Sequence, residues 1–469
     1  MSKTRLSQRQ RPDVNLLPSL AKWRAVICLA LAVAVMSGCQ VATMVQFSYA
    51  NANADHRWEN DARSTTLPFE LIDGHIIVPV SLNGSEPLLF VLDSGAAATV
   101  VLESSRTKLL PLMMGSSMTV SGVGTGDDPQ AYIIEDTDLA IGSVHLEGLS
   151  VVYLPLDSVP FFENLDEVYF DGVIGAPFFE RMLVEINYEQ QQLSFSEPDL
   201  LQSRLDASGD AWQELPVQIA YGMPYLTTQI STQPEHVTTV KLLIDTGYRG
   251  PVSLTPDSHA EIDEPAEFFV LVSQGISGAV TNQVGLSQFL SLGESTLYSV
   301  PVSYAVAGGD IDDDSNGFIG SEVLSRFNLI FDYPGERMFI TPNQQYTAPI
   351  AADRSGLLVR FHRLGAVVKS IAPGSSGIFI GLQVGDTISH IDDQQLTRAS
   401  FTALKGLFSS SRESVSVCWS SADHGAQQQC ADLALASRFR QQSLQSHSNS
   451  RNSPVHAYAQ QGLSPNKHA

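Results

Sequence analysis

Two short triplets hold the residues best suited to acid–base chemistry: Asp93-Ser94-Gly95 and Asp245-Thr246-Gly247, 152 residues apart. Each is entered from an apolar run, Leu89-Phe90-Val91-Leu92 before the first and Leu242-Leu243-Ile244 before the second. A carboxyl at the end of a buried strand is costly unless it is paired, hydrogen-bonded or protonated. The neighbouring hydroxyl of Ser94 or Thr246 can bond backbone, and the glycine lets another chain approach closely. If the triplets face each other, their carboxyls fall within hydrogen-bond reach. Like charges that close cannot both ionise, so the pair shares one proton and its two apparent pKa values separate. The ionised partner can then accept a proton from a bound water while the protonated partner donates to a carbonyl oxygen. The roles reverse as an amine leaves.

The elements that position these triplets come from an internal repeat. Asp171-Gly172-Val173-Ile174-Gly175 runs on through Arg181 to Tyr188, and Asn316-Gly317-Phe318-Ile319-Gly320 runs on through Arg326 to Tyr333, at one offset of 145 residues without a gap. Upstream, Leu67-Pro68 is matched by Leu215-Pro216. Gly175 follows Asp93 by 82 residues and Gly320 follows Asp245 by 75, so the second copy is seven residues shorter between triplet and glycine element. Short β-rich runs punctuated by Gly, Pro, Asn and Asp predict a mainly β fold, with one lobe over 67–203 and its copy over 204–345.

These paired motifs resemble the pepsin/retropepsin clan of aspartic proteases, especially its single-chain bacterial members, over roughly Leu67 to Pro342. The resemblance implies a two-lobed aspartic-protease-like β barrel that hydrolyses peptide bonds in polypeptide substrates, as a monomer and without metal or organic cofactor. It implies Asp93 and Asp245 as the catalytic carboxyls and Ser94 and Thr246 as hydroxyls bonding across the two loops. Gly95, Gly247, Gly175 and Gly320 would support the dyad. The residue after the triplet is usually small in the family. Ala96 obeys, but Tyr248-Arg249-Gly250 does not. Arg249 is either an outward loop residue or a cation that holds one carboxyl ionised and disturbs proton sharing. Candidate flaps are Ser121–Gly126, with Gly122 and Gly124, and Ser273–Gly278, with Gly275 and Gly278; hairpin tips of this kind suit a lid, and equally plain turns. The contrasting reading is an inactive barrel that only binds peptides or a partner.

Residues 351–436 change in character. Gly356-Leu-Leu-Val-Arg-Phe361 and the stretch Ala366 to Ile391, which holds Gly381-Leu-Gln-Val-Gly-Asp-Thr-Ile388, resemble a bacterial PDZ domain. Such domains take an extended peptide as an added strand. The resemblance implies Arg363, Leu364, Gly365 and Ala366 as the loop receiving a peptide carboxylate, with a helix near 400–408 walling the groove. A closed groove that merely packs on the lobes is the other possibility. Cys418 and Cys430 flank a turn-like stretch and could form a disulfide in an oxidising compartment. Residues 437–469, rich in Gln, Ser, Asn and His, predict a disordered tail.

At the other end, a basic region, the apolar run Ala25–Met36 and Ser37-Gly38-Cys39 describe a secretory signal over 1–38. Met36-Ser37-Gly38-Cys39 resembles a bacterial lipobox, which implies a lipidated Cys39 as first mature residue. Gln40 then favours a periplasmic, outer-membrane address, with 39–66 as a polar tether. The sequence has 469 residues and a formal charge of −23. Residues 1–38 carry six basic side chains and one acidic, and 438–469 four basic and none acidic. The remainder therefore holds 17 basic against 49 acidic, or −32. That acidity argues against a nucleic-acid partner, which needs a basic face to displace counterions. The run Asp310–Asp314 invites calcium but lacks the twelve-residue ligand loop, so a solvated loop is expected.

Overall fold

The structure, a computed structural model of the chain, describes residues 43–159, 169–209, 211–262, 265, 267–307, 315–362, 364–421, 428–438 and 440–441. The signal at 1–38, Cys39, the acidic run 310–314 and Arg363 lie outside the described residues.

The chain is mainly β. In the first lobe, His75–Leu82 turns at Asn83-Gly84, both at positive φ (50° and 73°), and returns as Leu88–Leu92. Asn-Gly is the pair that a tight hairpin turn of this hand favours. The register sets Ile77 opposite Val91 and Val78 opposite Phe90. Nearly every residue on both strands is buried, because further strands cover both faces. The second lobe repeats this with Met223–Gln233 and His236–Ile244, Leu226 opposite Leu242. These hairpins anchor sheets of nine and eleven strands.

A third sheet, of six strands, joins the lobes. Its centre pairs Leu183–Asn187 from the first copy antiparallel with Phe327–Asp332 from the second, Val184 facing Phe331 and Ile186 facing Leu329. These are the equivalent strands of the repeat, so their pairing generates an approximate two-fold axis. Aromatic side chains fill the seam: the Phe179 ring lies 5.1 Å from Tyr333, stacked, and 5.5 Å from Phe331, edge-on. One continuous apolar core runs through both lobes and this sheet.

The polar stretch expected as a tether over 39–66 is instead built into the first lobe. Residues 43–53 form a helix that sends Phe47 into a cluster with Ile72 and Ile77. Asn51 Oδ1 accepts from Ser150 N at 2.8 Å. Asp55–Trp58 then pairs with the strand Val144–Leu154, and Ser64–Pro68 with Gln192–Ser196. Short polar segments carry no apolar alternation to read, yet a sheet edge captures them through backbone bonds alone.

The C-terminal unit is a separate six-stranded sheet. Leu357–His362, Gly365–Ile371, Thr387–Ile391, Ser414–Ser420 and Gln428–Ala434 follow one another across it, with helices Ser376–Phe379 and Arg398–Phe408. It has its own core around Trp419. Cys418 and Cys430 sit opposite on adjacent strands and are joined as a disulfide. The segment expected to receive a carboxylate is not an open loop. Gly365 and Ala366 begin a strand: Ala366 is fully buried, with Phe361 on one side and Ile388 on the other. Their backbone groups are consumed by the sheet. Among the described residues the strand Leu357–His362 stands at the end of the sheet order. The loop leading into it lies at the end of the long helix, where Arg354 N donates to Phe408 O at 3.0 Å.

The expected tail also starts later than 437. Arg440–Gln441 pairs with Glu267 and Phe268 of the second lobe, and the Arg438 guanidinium lies 4.1 Å over the Phe269 ring. Among the described residues no helix is long and apolar enough to cross a membrane.

Candidate active site

Each triplet begins where an apolar strand is trapped between two neighbours. Leu88–Leu92 runs parallel to Gly172–Ile174, and His236–Ile244 runs parallel to Gly317–Ile319. Asp93 N donates to Ile174 O at 3.0 Å, and Asp245 N to Ile319 O at 2.9 Å. Gly175 and Gly320 close the arrangement: a Cβ on either would lie 2.3 Å from a backbone oxygen, of Ala98 and Gly250 respectively.

Two residues that motif reading passed over brace these strands. Asp171 Oδ2 accepts from Leu89 N at 2.7 Å, and Asn316 Oδ1 accepts from Lys241 N at 2.8 Å. They head the two copies of the repeat, so the internal alignment held a signal for them. Asp171 is buried, ion-paired with Arg106, and also accepts from Ser104 Oγ at 2.6 Å.

The triplets meet across the two-fold axis. Ser94 N donates to Thr246 Oγ1 at 2.9 Å, and Thr246 Oγ1 donates to Leu92 O at 2.8 Å. Reciprocally, Thr246 N donates to Ser94 Oγ at 3.1 Å, and Ser94 Oγ donates to Ile244 O at 2.7 Å. Both side chains are fully buried. Each hydroxyl thus donates one bond and accepts one, which uses its single proton and ties each lobe to the other's catalytic strand. Tyr333 adds a bond from its hydroxyl to Ser94 O at 3.3 Å.

This lock brings Asp93 and Asp245 together. Each carboxyl is packed against the opposite triplet's glycine. A Cβ on Gly95 would stand 2.7 Å from Asp245 Cγ, and one on Gly247 2.4 Å from Asp93 Cγ, so each glycine makes room for the opposite acid. Asp93 Oδ1 accepts from Gly95 N at 2.8 Å. Asp245 Oδ1 accepts from Gly247 N at 2.8 Å and Tyr248 N at 2.9 Å. Burial raises both carboxyls above the usual carboxylate range. The charge of Asp245 pushes Asp93 further up, while the bond from Asp93 and the backbone N–H groups hold Asp245 back. Like charges this close cannot both ionise, so the pair is suited to holding one proton between its two carboxyls.

The glycine-rich loops meet over this centre. Gly126 N donates to Ser277 O at 2.7 Å, Ser277 N to Val123 O at 3.1 Å and Thr125 N to Ala279 O at 3.0 Å. Gly122, Gly124, Gly275 and Gly278 all lie in this contact: a Cβ on Gly124 would be 2.2 Å from Ser277, and one on Gly275 2.0 Å from Val123 O. The tips also cross. Val123 packs with Tyr225, Leu243 and Phe318 of the second lobe, and Ile276 with the cluster of the first. Asp128 fastens the pair, accepting from Ser277 Oγ at 2.5 Å and Ser121 Oγ at 2.8 Å, and these bonds lower its pKa.

Arg249 does not reach the dyad. It is ion-paired with Asp73 in the turn before His75–Leu82. Its charge is spent there, and Tyr248 packs its ring 5.5 Å from Phe318. Among the described residues no group of three or more His, Cys, Asp or Glu side chains converges as a metal site requires. Two buried carboxyls brought together between amide-donor loops are suited to general acid–base chemistry.

Two outcomes are expected. Thr246→Val leaves Leu92 O and Ser94 N without their partner, so it should destabilise the fold by about 2–3 kcal/mol in urea unfolding. An unchanged midpoint would contradict the lock. Asp128→Ala should speed amide hydrogen exchange at 121–128 and 273–279 while leaving the bridging sheet protected; equal exchange in both loops would show that Asp128 does not fasten them. The comparison with known families agrees with this geometry. A family model described as aspartyl protease matches residues 78–178, from the strand before the first triplet to the helix after Gly175. No curated protein matches the chain. The match supports an aspartyl protease domain, and with it a peptidase, over the first copy of the repeat.

Proposed function

We propose that this protein is an aspartic endopeptidase in which Asp93 and Asp245 activate one water molecule. The observation that carries the reading is the approach of two carboxyls across the axis, each seated against the other triplet's glycine. Water held between them loses a proton to Asp245 and adds to the scissile carbonyl carbon, whose oxygen takes the proton of Asp93. Collapse of the tetrahedral species passes a proton to the amide nitrogen, the C–N bond breaks, and a carboxylic acid and an amine leave. One chain supplies both carboxyls, so a monomer suffices. An extended polypeptide enters only when the two loops part, since Val123 and Ile276 occupy the apolar clusters on either side of the dyad.

The C-terminal unit is read as a PDZ-like module that positions substrate. By the resemblance to PDZ domains, an extended peptide would add to this sheet as a further strand. Arg398–Phe408 packs beside Glu70–Ile72 of the first lobe, which places that module next to the cleft-bearing lobe. The address proposed is periplasmic, with a lipid on Cys39 holding the chain at the outer membrane.

Cleavage of an unbiased peptide library tests the central reading. Asp93→Asn and Asp245→Asn should each lower turnover at least ~10³-fold, and a pepstatin-type inhibitor should bind the wild type tightly. Equal turnover in all three proteins would discard the dyad. Peptide binding without cleavage would favour the inactive-binder reading. Stability supplies a second check. A carboxyl raised on folding favours the fold while protonated, and that contribution is lost as pH climbs from the unfolded value through the folded one. Asp93→Asn should therefore match the wild type near pH ~3 and be more stable than it near pH ~7.

A further inference from the structure

The two halves around the dyad match position for position, and one breaks the symmetry with polar groups. Asp73-Gly74-His75 in the first copy corresponds to Tyr221-Gly222-Met223 in the second, at the same offset that relates Leu67-Pro68 to Leu215-Pro216. Both central glycines have positive φ, 85° and 78°. Gly74 packs against Ser321 and Arg249, and Gly222 against Ala176 and Ala97, which are the equivalent residues of the opposite lobe. Asp73, His75 and Arg249 thus stand where the other half has Tyr221, Met223 and Ala97.

His75 is buried and bonded through both ring nitrogens. Nε2 lies 3.0 Å from Gly247 O, and Nδ1 is bonded to the Tyr169 hydroxyl. A carbonyl oxygen only accepts, so Nε2 carries the hydrogen and Nδ1 accepts from Tyr169. Gly247 O belongs to the same peptide group as Tyr248 N, and Tyr248 N donates to Asp245 Oδ1 at 2.9 Å. One peptide plane therefore links the imidazole to a single member of the dyad. A bond to its carbonyl aligns that plane and strengthens the donor at its other end. Met223, at the matching place, has no N–H or O–H to offer Gly95 O.

We propose that His75 is a positioning residue that assigns the ionised, water-activating role to Asp245 by holding the Gly247–Tyr248 peptide against it. The Asp73–Arg249 ion pair clamps the same loop from the same turn. The charged and titratable groups around the imidazole are Arg249 on that loop, Asp73 on its own turn, Tyr169 before Gly172–Ile174, and Arg360 on Leu357–His362. Burial first, then Arg249, lowers His75 to about 4, so the ring is neutral above that pH.

The inference rests on the dyad acting as a peptidase, and the test separates the two. In the full chain, His75→Met makes the first half resemble the second. It should lower kcat roughly 10-fold and leave KM for a short peptide within about twofold. The acid limb of the kcat–pH profile should move up by about one unit, because Asp245 loses support for its charge. His75→Gln, whose amide N–H can reach Gly247 O, should restore the limb, and Met223→Leu should not move it. Carboxyl ¹³C NMR of Asp-labelled protein reads the same shift in the Asp245 titration even if no peptide is cleaved. A folded His75→Met protein with unmoved limb and titration would overturn the proposal. Should that variant fail to fold, Tyr169→Phe should move the titration the same way by a smaller amount, and no movement there would overturn it equally.

Discussion

The structure depends on four hydrogen bonds at the two-fold axis, in which Ser94 and Thr246 exchange places between the lobes. Each hydroxyl, fully buried, bonds the backbone of the strand that leads into the other lobe's triplet. A buried bond of this sort contributes modestly when made and costs much more when one partner is lost. The lobes are therefore not free to slide, and the distance between Asp93 and Asp245 is set by backbone rather than by long side chains. Without that constraint two carboxyls in an apolar surround would separate or each take its own proton.

Around this lock the fold is nearly symmetric, and the departures from symmetry matter most for chemistry. Asp171 and Asn316 do the same work on the two catalytic strands, yet only Asp171 adds an ion pair. The loops that cross above the dyad each lend an apolar tip to the opposite lobe, which gives the closed site a dry roof. Below, Asp73, His75 and Arg249 stand beside one triplet where the other half has Tyr221, Met223 and Ala97. A proton shared between identical half-sites would have no preferred owner, and unequal support resolves that degeneracy.

The C-terminal unit meets the lobes in two places. Its long helix packs beside Glu70–Ile72, and the strand after it, Arg440–Gln441, joins the flap-bearing sheet of the second lobe. Both attachments touch elements that position the cleft. The unit is thus physically continuous with the lobes.

Much could be read from residue order alone. The duplicated Asp-Ser/Thr-Gly and glycine elements, the β-rich texture and the change of character near 351 are one-dimensional patterns, because strand burial and tight turns leave their mark in neighbouring residues. Other features left no such mark. The helix at 43–53 and the strands Asp55–Trp58 and Ser64–Pro68 are polar segments ordered by sheet edges supplied from far along the chain. Gly365 and Ala366 read as a loop but begin a strand, Gly365 opposite His362 and Ala366 between Phe361 and Ile388. Arg249 could be weighed only as a threat to the dyad until its partner, Asp73, was known. The residue types of the site were written in the chain. That two carboxyls, an imidazole and the Gly247–Tyr248 peptide lie together was decided by folding, since electrostatics acts through distance in space and not along the sequence.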